Sequence, residues 1–160
     1  MDFVVSLSMV AALVALTVFF HYEGLRFLSV GPWSLRMNPR MEMQVIILCI
    51  FALHLVEITL WGAAYWFGDI VVDIGSFAGG RTLEFRDYLY FSVETYTSLG
   101  YGDIYPLGEL RLLAGIECLD GLLLLGWSAS FTFLQMQRYW DRHGAPLGSK
   151  PRDGGKPEGL

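Results

Sequence analysis

Charge is scarce in this chain. Of 160 residues, 17% are charged and 54% hydrophobic, whereas an ordinary soluble domain carries about 25% charged residues. Mean hydropathy is +0.44. These values exclude a typical water-soluble globule, and the length suits a single domain. Cysteine is nearly absent too. Cys49 and Cys118 both lie inside apolar runs, where isolated thiols packed among apolar side chains are expected rather than a disulfide. No metal-ligand spacing, phosphate-binding loop or basic nucleic-acid patch occurs, so no cofactor and no nucleic-acid partner is expected. No grouping of nucleophile, base and orienting residue suggests an enzyme. The formal charge of −5 says less than where the charges lie.

Long apolar runs are what the chain has instead. Residues 3–20 are apolar apart from Ser6, Ser8 and Thr17, close to the ~20 residues a helix needs to cross a bilayer. The rival is a cleaved signal peptide. Against it, the first residues carry Asp2 and no Lys or Arg, and no small-x-small site follows before His21, Tyr22 and Glu23. A permanent, peripheral helix over 1–22 is expected, with no arginine ladder and hence no voltage sensing. Residues 23–43 form a connector broken by Gly31-Pro32 and Asn38-Pro39, which read as turns. Phe27, Leu28, Val30, Trp33 and Leu35 would let part of it lie in the membrane interface.

A second span covers 44–67. His54 and Glu57 share one face of its interior, and Trp61, Tyr65 and Trp66 cluster at its far end as an interfacial belt. Residues 68–86 read as a solvent-exposed loop. Residues 87–98 read as a short helix with Asp87 as its N-cap, too short to span and suited to a re-entrant segment. A third span over 110–137 contains Gly115, Gly121 and Gly126 together with Glu117 and Asp120. Residues 138–160 are rich in Gly and Pro with scattered charge, a composition that cannot bury a core and is expected to be disordered.

Three of the 11 Lys and Arg residues fall in 23–43 and five fall in 138–160. With three helices these two segments share a side, which the positive-inside rule makes cytoplasmic. The N-terminus and residues 68–109 then face outward. An integral membrane protein in contact with lipid is expected.

Between the second and third spans lies YFSVETYTSLGYGDIYP, residues 90–106. Gly100 and Gly102 free the backbone at alternate positions. Irregular backbone at membrane depth survives only where it is buried in protein or lines a water-filled cavity. Extended Ser98, Leu99, Gly100 and Tyr101 would offer four carbonyl oxygens, and Ser98 a hydroxyl, all uncharged acceptors. One copy cannot surround an ion. Several around an axis could replace the hydration shell of a monovalent cation.

Thr97-Ser98-Leu99-Gly100-Tyr101-Gly102-Asp103 resembles the T-x-G-Y-G-D signature of potassium channels. The flanks Ser92-Val93-Glu94-Thr95-Tyr96 and Ile104-Tyr105-Pro106 extend the resemblance to small bacterial proton-activated potassium channels, over roughly residues 90–131. The resemblance implies an all-α membrane protein of three transmembrane helices. A re-entrant pore helix and a selectivity filter would lie between the second and third. It implies a homotetramer, each chain joined by three identical subunits, in a bacterial inner membrane. Thr97, Ser98, Leu99, Gly100, Tyr101 and Gly102 would form the filter over 98–103, with potassium ions on the carbonyls of Ser98, Leu99, Gly100 and Tyr101. Glu94 and Asp103 match a carboxyl pair behind the filter, one member of which should hold a proton; two independent surface acids are the other reading. Gly121 matches a hinge position in the inner helix and Gly126 a second small position, with close helix packing as the alternative.

Some positions depart from the family. Ser98 stands for the usual threonine and Leu99 for the usual valine, which loosens the innermost ion site. Tyr90 and Phe91 stand where relatives often have tryptophan. Phe91 removes one donor from the cuff around Tyr101, while Tyr90 retains a hydroxyl that could reach Asp103.

His54, Glu57, Glu117 and Asp120 are ionisable at membrane depth and are functional candidates by default. With antiparallel helices, His54 should lie level with Asp120, and Glu57 level with Glu117. Such a network suits a structural brace, a proton-sensitive gate built on His54, or a cavity-facing Asp120 that attracts cations. The reading as a whole is a potassium-selective channel. The alternatives are a nonselective monovalent cation channel and a non-conducting interaction subunit with a pore-like fold.

Overall fold

The computed structural model describes residues 1–30, 38–79 and 83–143. Helix α1 runs Asp2–Val30 and α2 runs Pro39–Ile70; strand β1 is Gly75–Ala78, α3 is Phe85–Tyr96, β2 is Tyr105–Gly108 and α4 is Leu110–His143. Among the described residues, three stretches are long and apolar enough to cross a membrane: Asp2–Ser29, Met41–Ile70 and Leu110–Asp141.

The helices exceed the expected bounds for local reasons. Asn38-Pro39 is a helix start rather than a turn. The Asn38 carbonyl accepts the amides of Met41 and Glu42 at 2.8 and 3.0 Å, and proline fits the first helical position, where its missing N–H is not needed. α1 continues past residue 22, carrying an exposed Glu23–Arg26 pair at 3.0 Å on its surface, which corrects the connector's start. At the other end α4 carries on through Arg138 to His143, so the first residues of the expected tail are helical. The Gly31-Pro32 turn and the expected disorder of 144–160 lie outside the described residues.

Residues 68–86 are not simply a loop. α2 takes up the first of them, and β1 pairs antiparallel with β2 in the register Gly75↔Gly108 to Ala78↔Tyr105. The fold is therefore mostly helical, with a two-stranded ribbon that an all-α reading omits. The ribbon fastens the chain after residue 103 to the chain leaving α2. Beneath it Tyr65, Phe77, Tyr88 and Phe91 pack edge to face, with centroids 5.0–5.7 Å apart, a geometry favoured by aromatic quadrupoles.

α3 begins two residues earlier than expected. Glu84 is its N-cap, and Asp87 sits at the third helical position, where it accepts the Glu84 amide at 2.8 Å. This reciprocal arrangement satisfies donors that a helix start leaves open.

Each long helix buries only a stripe. In α1 the stripe is Ser6, Val10, Thr17, His21, Leu25 and Leu28; in α2 it includes Ile46, Ile50, His54, Glu57, Trp61 and Tyr65. Phe19, Leu48, Phe51 and Leu123 are exposed. Polar groups turn inward and apolar groups outward, which is the order that lipid requires.

Gly121 is a contact glycine. A Cβ there would stand 2.2 Å from the Tyr96 carbonyl oxygen, whereas a Cβ at Gly126 meets nothing within 4 Å. Gly121→Ala is expected to cost ~1–3 kcal/mol through overpacking, while Gly126→Ala is expected to be neutral or to stabilise by up to about 1 kcal/mol. Chemical denaturation of both purified variants checks this contrast.

Candidate functional site

The backbone of residues 97–103 does not run as extended strand. Ser98, Gly100 and Gly102 adopt positive φ values of 60, 56 and 79°, so every second residue is left-handed. Glycine takes this conformation freely, while Ser98 does so against steric resistance. Alternating the hand of successive residues is how a short chain turns its carbonyls to one side.

The amides of the segment are already used. Ser98 N–H donates to the Thr95 carbonyl at 3.0 Å, and the Leu99 and Gly100 amides donate to the Glu94 carbonyl at 2.8 and 3.4 Å. The loop thus closes the open C-terminus of α3, whose last carbonyls lack helical partners. Among the described residues, no backbone donor is bonded to the carbonyls of residues 97–102. Leu99 and Tyr101 are 56% and 69% exposed, which leaves this face of the single chain open. The Ser98 hydroxyl lies 3.1 Å from the Cys118 thiol on α4. Both cysteines are free.

The expected supports are partly assembled. Tyr90 donates to Asp103 at 3.5 Å, a long contact. Glu94 is buried, with its Oε1 unpartnered, and no direct hydrogen bond joins it to Asp103 among the described residues. Asp103 instead accepts the Ile104 amide at 3.1 Å. Phe91 packs in the aromatic cluster with Tyr65 and Phe77.

Each intramembrane charge is hydrogen-bonded to a neighbouring helix, but in a register that differs from the expected one. Among the described residues no direct hydrogen bond joins His54 or Glu57 to Glu117 or Asp120. His54 lies level with Ser128 (Nε2 to Oγ 3.0 Å), Trp61 with Asp120 (Nε1 to Oδ2 3.2 Å), and Tyr65 with Glu117, to which it donates. His54 was expected opposite Asp120. The displacement from residue 120 to 128 is two helical turns, about 12 Å at 1.5 Å per residue. Asp120 is buried and accepts the Thr17 hydroxyl of α1 at 2.8 Å. The Ser92 hydroxyl, with one hydrogen to give, lies 2.5 Å from Glu117 Oε1 and 2.8 Å from the Ile58 carbonyl.

His21 is the residue that sequence inspection missed. In the longer α1 it is fully buried, its Nδ1 2.8 Å from Glu57 Oε1 and its Nε2 3.3 Å from the Ser128 hydroxyl. His54 Nδ1 stands 3.0 Å from Glu57 Oε2 and 2.8 Å from the Tyr96 hydroxyl, which itself donates to Glu57 at 2.6 Å. The signal available was the polar pair Thr17 and His21, four apart and so on one helix face.

Glu117→Ala strips the Tyr65 hydroxyl of its acceptor, while Ser92 keeps the Ile58 carbonyl, and is expected to cost ~1–3 kcal/mol. Combined with Tyr65→Phe, it should show a coupling of ~1 kcal/mol in a double-mutant cycle of unfolding free energies.

Comparison with known proteins bears on the same region. The family model described as ion channel matches residues 43–138. The chain is similar to the inward rectifier potassium channel Kirbac3.1 of Paramagnetospirillum magnetotacticum, at 34% identity over 96 residues. The aligned stretch covers 59% of this chain and 30% of that protein. No solved structure matches.

Proposed function

Because this chain belongs to the ion-channel family, as a potassium-channel pore-loop protein, we propose that it conducts potassium passively through a pore of four identical subunits. The observation that carries the reading is the alternation of positive φ at Ser98, Gly100 and Gly102, together with carbonyls left unbonded between them.

Four copies about an axis would set these carbonyls in stacked rings. An ion passing through would exchange water oxygens for carbonyl oxygens at each ring. On this reading α3 is the re-entrant pore helix, α2 the outer helix and α4 the inner helix. The filter is Thr97 to Gly102, with potassium on the carbonyls of Ser98, Leu99, Gly100 and Tyr101. Glu94, Asp103 and Tyr90 stand behind it. The unpartnered Glu94 Oε1 fits a carboxyl that completes its bonding as the filter is restrained. Gly121 serves the pore through its contact with Tyr96, and Gly126 remains the candidate for bending.

The protein sits in a bacterial inner membrane, with its N-terminus outside and the arginine-rich segments in the cytoplasm. α1 is tied to the pore domain at three depths: Ser6 to the Glu109 carbonyl, Thr17 to Asp120, and His21 to Glu57. His54, Glu57, Glu117 and Asp120, each bonded to a neighbouring helix, brace the bundle.

Reconstitution in liposomes tests the reading. The purified protein should carry potassium flux, with a reversal potential in mixed salts that follows potassium over sodium. Equal permeation would replace it with a nonselective pore. A folded tetramer silent at every pH and voltage would replace it with a non-conducting subunit. Gly102→Ala places a side chain at φ 79°, a conformation costing ~1–2 kcal/mol for a residue with a Cβ. It should abolish or strongly reduce flux while leaving the tetramer intact by size-exclusion chromatography.

A further inference from the structure

His21 brings to the bundle a second imidazole that ion conduction does not call upon. It meets His54 and Glu57 where α1 and α2 face the end of α3. We infer that His21, His54 and Glu57 form a binding site for a divalent late transition-metal ion such as zinc.

The three residues are buried, and one ligand atom from each lies within 4.8 Å of the others. The Glu57 carboxylate stands between the rings, 2.8 Å from His21 Nδ1 and 3.0 Å from His54 Nδ1. Bonds of about 2.0–2.1 Å in a tetrahedral zinc site put ligand atoms roughly 3.3 Å apart. A small opening of the cluster therefore admits an ion. Two imidazoles and one carboxylate are a donor set suited to zinc and its neighbours. The Tyr96 hydroxyl, 2.8 Å from His54 Nδ1, adjoins the fourth position.

Hydrogen counting points the same way. Each Nδ1 faces a carboxylate oxygen, which asks it to donate. Both Nε2 atoms face the single hydroxyl of Ser128, at 3.0 Å from His54 and 3.3 Å from His21. With both rings neutral and protonated at Nδ1, Ser128 has one hydrogen for two acceptors, and one buried nitrogen goes without. A cation bound by both Nδ1 atoms moves the hydrogens to Nε2. The Ser128 oxygen then accepts from both rings with its two lone pairs. Ligating histidines usually donate their other ring N–H in this way.

Charge is also accommodated. Glu57 supplies one negative charge, and Asp120 bonds Thr17, four residues from His21 on the same face of α1. Among the described residues no lysine or arginine is bonded to the cluster. The His54 side chain retains 11% exposure, an approach for the ion. Bound metal would fasten α1 to α2 beside Tyr96, the residue before the filter.

The test uses the full chain purified in detergent, equilibrated with zinc or cobalt and freed of excess metal. The wild type should hold one ion per chain. X-ray absorption at the metal edge should show imidazole nitrogen and carboxylate oxygen around it. His21→Gln and Glu57→Gln should each lower zinc affinity by at least the order of 10–100-fold that loss of a supporting group causes. The zinc-dependent rise in Tm should disappear with it. His143→Gln should bind as the wild type does. Sub-stoichiometric zinc in the wild type overturns the proposal and leaves a proton-sharing ring. So does full affinity in either variant. Should a variant fail to fold, the absorption spectrum of the wild type decides, since an oxygen-only shell is incompatible with the site. Potassium flux is measured separately, so neither result stands in for the other.

Discussion

The Tyr96 side chain ends α3 with its hydroxyl 2.6 Å from the buried Glu57 carboxylate of α2 and its carbonyl against Gly121 of α4. One residue later the loop of alternating φ begins. This anchor fixes where the loop starts relative to both long helices. Without it, the amides of Leu99 and Gly100 could still cap α3, but the capped end would have no set depth. A hydroxyl–carboxylate bond in a site of low dielectric is stronger and harder to replace than the same bond in water. Position of the loop therefore depends on burial of that one pair.

Around the anchor the molecule is layered by polarity. Lipid cannot hydrogen-bond, so a polar side chain on an outer face would cost several kcal/mol. The buried set of Thr17, His21, His54, Glu57, Ser92, Glu117, Asp120 and Ser128 is the consequence. Each finds a partner on another helix, and these partners connect α1, α2, α3 and α4 into one polar seam. Lipid tails are as apolar as leucine, so the hydrophobic effect does not choose a helix register. That choice is left to close packing, as at Gly121, and to interhelical hydrogen bonds. The seam supplies those bonds. The ribbon then holds the outer end of the loop, so that both its ends are constrained from within the same chain.

Much of this was legible in the sequence. The three apolar spans, the short fourth helix and the glycine-rich stretch after it all correspond to elements of the structure, because each reflects a local property of composition or backbone. Element ends were less accessible. Asn38-Pro39 serves equally as a turn and as a helix start, and only the hydrogen bonds of the Asn38 carbonyl distinguish them. The ribbon was hidden because Gly75 and Gly108 meet across the whole of α3. For the site, the alternate glycines marked where positive φ would fall. Ser98 carried no such mark, since its φ is imposed by the loop.

The sequence by itself determined that the chain crosses a membrane, how many times it can, and where its backbone breaks into a loop able to turn carbonyls one way. These depend on transfer free energy and on the absence of a Cβ, which act residue by residue. Only the tertiary structure decided that His54 faces Ser128 rather than Asp120, that His21 joins Glu57, and that Gly121 is a point of contact with Tyr96. Each of these rests on the relative depth and rotation of two helices. Those two variables are set by polar contacts and close packing between residues far apart in the chain, which hydropathy and spacing do not encode.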